Sequence, residues 1–337
     1  MFVSIRLILK LQTRRVQEEV RMEPMKNNIS SHQYFILTGF SEIGALRPVI
    51  FILLLIMFVV SLITNSLLLY VIVSHRNLHS PMCILIACMA CIDLSLPLCF
   101  APSMLLSILL DWRGISLSGC LVQMYFIHFL GTCQSTLLLW MALDRYFAIC
   151  MPLYYHEYMS SLRFLKFAVP LVIRNVVMIS SVVGLAGSLS YCFRNEIHHC
   201  LCEHMALVEQ ACGSTTINSL VGLMTVFFVT VLDFLLITTS YVVIFHSVLY
   251  SGKSGAKALH TCITHIIVLV VSLTFVLTAF LSYRIRNSSA TSRVFVSIIY
   301  LFVPSCFNPI IYGVRTTEIR QRILKMLSSC RLLQSVT

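Results

Sequence analysis

Charge is what this sequence has least of. Only 11% of its 337 residues are Asp, Glu, Lys or Arg, where a soluble domain carries roughly a quarter. A water-soluble globular protein is therefore excluded, and with 58% of residues hydrophobic no polar stretch is left over for a second domain. Internal repeats are also missing, which argues against a secondary transporter, whose halves commonly mirror each other around helices broken by Gly or Pro. The sequence contains no Gly-flanked Ser with a His partner, no paired Asp residues and no His-Glu-x-x-His helix, so an intramembrane enzyme lacks its chemistry. No catalytic residue, metal site or cofactor is expected. His198, His199, Cys200 and Cys202 could suggest zinc, but in an oxidised loop disulfides are the better reading.

What the sequence does have is seven apolar runs, each long enough to cross a hydrocarbon layer of about 30 Å, which takes about 20 helical residues. They fall at 48–74, 81–106, 120–149, 164–189, 219–250, 260–283 and 292–312. A lone strand cannot satisfy its backbone in lipid, so the expected fold is an all-α membrane protein, a seven-transmembrane-helix bundle. The expected division is an extracellular segment over 1–47, the helical domain over 48–312 and a cytoplasmic tail over 313–337. Residues 1–24 form an atypical extension, too short in its apolar run for a span and unlike a cleavable signal peptide. Asn28-Ile29-Ser30 is a glycosylation acceptor.

The formal net charge of +11 reads as topology, with no nucleic acid implied. With the amino terminus outside, Arg76, Arg145, Arg163, Lys166, Lys253, Lys257, Arg315, Arg320, Arg322, Lys325 and Arg331 fall on the cytoplasmic side. The outer loops balance their basic residues with Asp111, Glu196, Glu203 and Glu209. The positive-inside rule then puts the carboxyl terminus in the cytoplasm of a multi-pass plasma-membrane protein. In the tail, Ile319, Ile323, Leu324 and Leu327 alternate with Arg320, Arg322 and Lys325, the pattern of a short amphipathic helix on membrane lipid. Of the outer cysteines, Cys120 is expected to pair with Cys202 and Cys192 with Cys212, although the sequence leaves other connectivities open.

Polar groups at membrane depth are costly and need partners. The first span carries Asn65, the second Asp93, the third Gln134, and the seventh Ser305 and Asn308, so a polar cluster inside the bundle is one reading and plain helix–helix adhesion the other. Pro309 opens the hydrogen-bond ladder of its helix and marks a bending point. Arg174 and Asp233 lie near the middle of neighbouring spans and suggest a buried structural pair. Asp144-Arg145-Tyr146 closes the third apolar run: the Arg either snorkels to headgroups or belongs to a latch.

Five motifs in order then carry a resemblance: LHSPMC (78–83), MALDRYFAICMPLYY (141–155), SYVVI (240–244), KALHTCITH (257–265) and NPIIYG (308–313). Together they resemble the odorant receptors, rhodopsin-like G-protein-coupled receptors, over about 34–327. Within that family the sequence is most similar to the class I, fish-like members. The cues are VRTTEIRQ (314–321), HCLCEH (199–204), Arg174, Leu232-Asp233-Phe234 and Arg284. Departures are Gln134 where the family usually has Glu, Thr64 for Gly, Cys83 for Tyr, and Ser272-Leu273 for Phe-Tyr. The Gln leaves Asp93 without a second carboxylate, which weakens any sodium site there.

The resemblance implies a small volatile or short amphiphilic odorant and a stimulatory olfactory-type heterotrimeric G protein that raises cyclic AMP. It also implies a two-state bundle in which Asp144 and Arg145 hold one end closed. On opening, Arg145 and Tyr241 face the G protein while Tyr312, near Asn308 and Pro309, swings inward. His265 either joins that latch or is an interface histidine. Helical spacing points to the ligand face: Ile127, His128, Gly131 and Thr132 lie two to three turns below Cys120. Glu203 and His204 follow Cys202 above that face, and Arg284 ends the sixth span, where it is either a ligand contact or a snorkelling anchor. An Arg with His neighbours suits an acceptor such as a carboxylate, unless Glu203 neutralises it. A non-olfactory rhodopsin-like receptor for a small metabolite is the nearest alternative, and a small-solute transporter the alternative from another class.

Overall fold

The computed structural model describes residues 32–250 except 160 and 193, then 266, 270, 273, 274, 276–278, 282 and 289–334. Six described helices are long and apolar enough to cross a membrane. The first span is Arg47–Ser74, the second Pro81–Leu110, the third Leu117–Cys150 and the fourth Ser161–Gly187. The fifth runs from Thr216 to Tyr250 and the seventh is Ala290–Arg315. The sixth expected span lies largely outside the described residues; those described within it are helical. An amphipathic helix, Thr317–Gln334, follows the seventh span and is longer than the spacing of its apolar residues indicates. The fold is a seven-helix membrane bundle.

Local chemistry sets the helix ends. Ser80 caps the second span by accepting from the Cys83 N–H at 3.4 Å, with Pro81 in the first helical position, where its missing N–H costs nothing. Ser116 and Ser289 cap the third and seventh spans through the N–H groups of Gly119 and Ser292, each at 3.1 Å. The third span ends at Cys150, two residues before Pro152, which opens a single 3-10 turn. The fifth span is interrupted by a π-helical stretch, Val226–Val231, so the chain gains a residue of register directly above Asp233.

The second, third and seventh spans make the interior. The exposed residues of the first and fourth are themselves apolar, including Leu53, Ile56, Ile63, Ile173 and Val177. In water such a surface would drive aggregation, whereas lipid tails match it.

The loop end adds something the apolar pattern does not foretell, a three-stranded sheet. β1 (Tyr34–Leu37) lies between β2 (Gly114–Ser116), antiparallel to it, and β3 (Glu196–Ile197), parallel to it. The amino-terminal segment is thus the middle strand joining two loops. Phe35 and Leu37 point inward and Phe35 meets Tyr191 edge-on at 5.3 Å. Gly39 then crosses the loop so closely that a Cβ there would sit 2.4 Å from the Cys200 nitrogen. Disulfides Cys120–Cys202 and Cys192–Cys212, with Cα separations of 5.3 and 5.5 Å, pin the same loop to the third span and to itself.

Candidate functional site

Beneath this lid the helices enclose a cavity of about 180 Å³. Of the ligand-face residues, the third span contributes Ile127, His128, Gly131 and Thr132, with Gln134 and Ser135 one turn lower. Glu203 reaches the cavity from the lid, and its Oε2 accepts from the Ala206 N–H at 2.9 Å, capping the short helix His204–Val208. That helix turns His204 out of the set. His204 is buried against Gly222, where an added Cβ would meet its ring at 3.2 Å, and it does not line the cavity. The expectation that Glu203 and His204 share one face is corrected accordingly. Arg284, His265 and Asn28 lie outside the described residues.

Spacing along the third span alone misses the opposite wall: Thr225, Val226 and Thr230 from the fifth span, and Ser297, Tyr300 and Leu301 from the seventh. Ser297 was within reach of sequence reasoning, because it stands three helical turns before Asn308 and so shares its inward face. Gly131 leaves room for the Tyr300 hydroxyl, which lies 3.1 Å from where a Cβ would be.

The floor of the cavity opens onto a buried polar network. Gln134 Nε2 donates to Asp93 Oδ1 at 2.7 Å, and Asn308 Nδ2 donates to Asp93 Oδ2 at 3.0 Å. Asn65 Nδ2 donates to the Ser305 carbonyl at 2.8 Å, tying the first span to the seventh. Asn65, Asp93, Gln134, Ser305 and Asn308 thus meet in one place, and both Asp93 oxygens face neutral amide donors.

Arg174 and Asp233 form a second, separate centre. Arg174 Nη1 and Nη2 donate to the two carboxylate oxygens at 2.7 and 2.9 Å, the fork-on-fork geometry that guanidinium favours. Thr136 Oγ1 accepts from Nη2 at 3.2 Å, Asn175 Oδ1 accepts from Nε at 3.3 Å, and Ser135 Oγ donates to Asp233 Oδ2 at 3.3 Å. Ser135 therefore touches both the cavity and the pair.

At the far end of the third span Arg145 Nε lies 3.6 Å from Asp144 Oδ2. A further partner appears there, Tyr155, whose hydroxyl donates to Asp144 Oδ1 at 2.9 Å. Burial, followed by the Asp144 charge, pushes the Tyr155 hydroxyl above its ordinary pKa. Tyr146 meets Phe147 edge-on at 5.4 Å. Tyr241 and Tyr312 are buried in the same apolar cluster as Met141, and Tyr312 points its hydroxyl at the Met141 sulfur, 3.9 Å away. Pro309 sits within the seventh helix without ending it.

Titration on the lid side is set by burial and by charge. Burial pulls His199 down from 6.5 to about 4. Burial alone would raise Asp111, but hydrogen bonds from Arg47 and Arg113 outweigh it and hold the carboxyl below its usual value.

Residues 54–330 match the family model for olfactory receptors. The chain belongs to the olfactory receptor family. It is 36% identical to human olfactory receptor 52K1 over 304 residues, which covers 89% of this chain and 97% of that protein. Human olfactory receptor 52K2 is 36% identical, covering 86% of the chain and 93% of the relative, and human olfactory receptor 51B5 is 35% identical, covering 91% and 99%. These relatives are of the class I type. As an olfactory receptor the chain is a multi-pass plasma-membrane protein that takes odorant ligands, couples to G proteins and carries out no enzymatic reaction.

Proposed function

We propose that this olfactory receptor holds its odorant in the cavity beneath the lid, against His128, Gly131, Thr132 and Glu203, and signals through a stimulatory olfactory-type G protein to raise cyclic AMP. Segment 1–47 is outside the cell, 48–312 is the helical domain, and 313–337 lies in the cytoplasm. The observation that carries the reading is the double engagement of Gln134, which lines the cavity and donates to the carboxylate that also holds Asn308. A ligand resting on Gln134 is one residue from the helix that Pro309 allows to bend. Asp144, Arg145 and Tyr155 form the latch at the other end, and its release exposes Arg145 to the G protein.

The test is a cyclic AMP reporter in cells supplying the olfactory G protein, with an amino-terminal epitope stained on unpermeabilised cells. Gly131→Trp fills the cavity and should abolish the response at normal surface density, and Arg145→Ala should abolish it for every agonist. An epitope reachable only after permeabilisation, or full signalling from either variant, would refute the proposal.

A further inference from the structure

The protons of the cavity's polar groups are unevenly spent. Thr132 Oγ1 donates to the Phe129 carbonyl at 2.8 Å, Thr225 Oγ1 to the Val221 carbonyl at 2.9 Å and Ser135 Oγ to Asp233 at 3.3 Å. Gln134 turns its amide nitrogen to Asp93, an orientation the carboxylate dictates because an amide oxygen there would be repelled. The side chain's carbonyl oxygen is left without a partner among the described residues. On the third span Thr132 and Ser135 retain lone pairs for a ligand and Gln134 retains its carbonyl oxygen beside one N–H, while Thr225 on the fifth span also keeps lone pairs.

The rest of the opposite wall is the complement. Among the described residues Tyr300, Ser297 and Thr230 line the cavity with hydroxyl groups that have no protein partner, so their protons remain available. The Tyr300 hydroxyl is directed at Gly131, one helical turn from Gln134 and Ser135, or about 5.4 Å along the axis. A single polar atom seated between them meets a donor on one side and acceptors on the other.

Resting on the reading of this cavity as the odorant site, we propose that the ligand class is a neutral hydroxyl-bearing amphiphile, an aliphatic alcohol. Its oxygen accepts from Tyr300 and its proton goes to the acceptors of the third span. Ketones, esters and ethers answer only the donors Tyr300, Ser297 and Thr230 and leave the third-span acceptors unmet. A carboxylate offers no proton either, and its charge would share the cavity with the Glu203 carboxylate, a like charge that repels it. Ammonium ions have protons but no lone pair for Tyr300 and must be stripped of water.

The experiment measures cyclic AMP dose–response curves for a straight-chain alkanol and for its methyl ether, aldehyde and carboxylic acid of matched length, across short to medium chains. The alkanol should be at least tenfold more potent than the other three, because a site built to bond a hydroxyl rejects analogues that leave its groups unpaired. Tyr300→Phe keeps the ring and removes the donor, so the alkanol should lose about tenfold in potency. Should that variant fail to reach the surface, Thr132→Val removes an acceptor and reads the same preference. An acid or ether more potent than the alkanol, or no answer to any alkanol from receptor at the surface, overturns the assignment. Gly131→Trp separates the two layers: if it abolishes the response to an acid that beats the alkanol, the cavity stands and the hydroxyl assignment falls. An alkanol response that survives the filled cavity overturns the site itself.

Discussion

Asp233→Asn is the sharpest single perturbation of this bundle. The wild-type carboxylate is fully buried and accepts both arms of Arg174, at 2.7 and 2.9 Å, together with the Ser135 hydroxyl. The amide has nearly the same shape but no charge, and one of its ends is a donor that faces the guanidinium. Arg174 keeps Thr136 and Asn175 as neutral acceptors and loses its counter-ion while one-fifth exposed. Breaking one side of a buried pair costs about 3 to 5 kcal/mol, and the neutral acceptors that survive put this case near the lower figure, about 3 kcal/mol. That is a large part of a membrane domain's margin, so surface density should fall several-fold and the purified receptor should melt earlier. A cycle with Arg174→Gln decides whether the pair is the cause. Arg174→Gln alone should do similar harm, and the double variant should be little worse than either single one, because the second change removes a group already orphaned. Replacing both by Met and Leu should recover most of the stability, since well-packed apolar groups commonly substitute for a buried pair. Asp233→Asn with wild-type surface density and melting temperature, or additive losses in the cycle, would refute the reasoning.

Two further outcomes rest on other parts of the molecule. Tyr155→Phe removes the hydroxyl that donates to Asp144 at 2.9 Å, a bond worth about 1 kcal/mol, so basal cyclic AMP per surface receptor should rise about fivefold; an unchanged baseline would remove Tyr155 from the latch. His199, drawn down from 6.5 to about 4 by burial, makes the lid acid-labile. The unfolded lid takes up the proton first as the pH drops through 6.5, so stability is lost progressively between 6.5 and about 4, by about 2 kcal/mol at pH 5. Melting of the purified receptor at pH 7 and pH 5 checks this, and His199→Gln should shrink the difference.

Six of the seven spans were legible within a few residues, because apolar length is a strong signal and the Ser and Pro residues at 80, 81, 116, 152 and 289 punctuate it. The interior polar residues were legible for the same reason: at membrane depth Asn65, Asp93, Arg174 and Asp233 are too expensive to be incidental. The lid was not. β1 is four residues long, its partners come from loops 80 and 160 residues away, and nothing in Tyr34–Leu37 announces that register. The cavity was half legible. Counting turns from Cys120 finds the third-span wall, but Tyr300 faces the cavity beside Gly131, which makes room for its hydroxyl, and that depends on how two helices pack. His204 shows the converse error: adjacency to Cys202 suggested a shared direction, and a five-residue helix capped by Glu203 turned it away.

The two polar centres give the cavity two routes to the rest of the bundle, and adjacent residues of the third span open them. Gln134 leads to Asp93 and Asn308, hence to the seventh span at its proline; Ser135 leads to Asp233 and Arg174, hence to the fourth and fifth. A ligand can shift the bundle only by the difference in its affinity for two arrangements, and moving a population from 1:99 to 99:1 takes about 5.5 kcal/mol. The hydroxyl's two neutral hydrogen bonds supply about 2 kcal/mol between them, so a hydroxyl alone cannot drive the transition. The remainder has to come from the alkyl chain, at about 0.8 kcal/mol for each methylene buried against Ile127, Leu138, Val226 and Leu301 in one arrangement and left exposed in the other. Potency should therefore climb with chain length until the cavity is full, while the hydroxyl contact decides which molecules are admitted to that comparison.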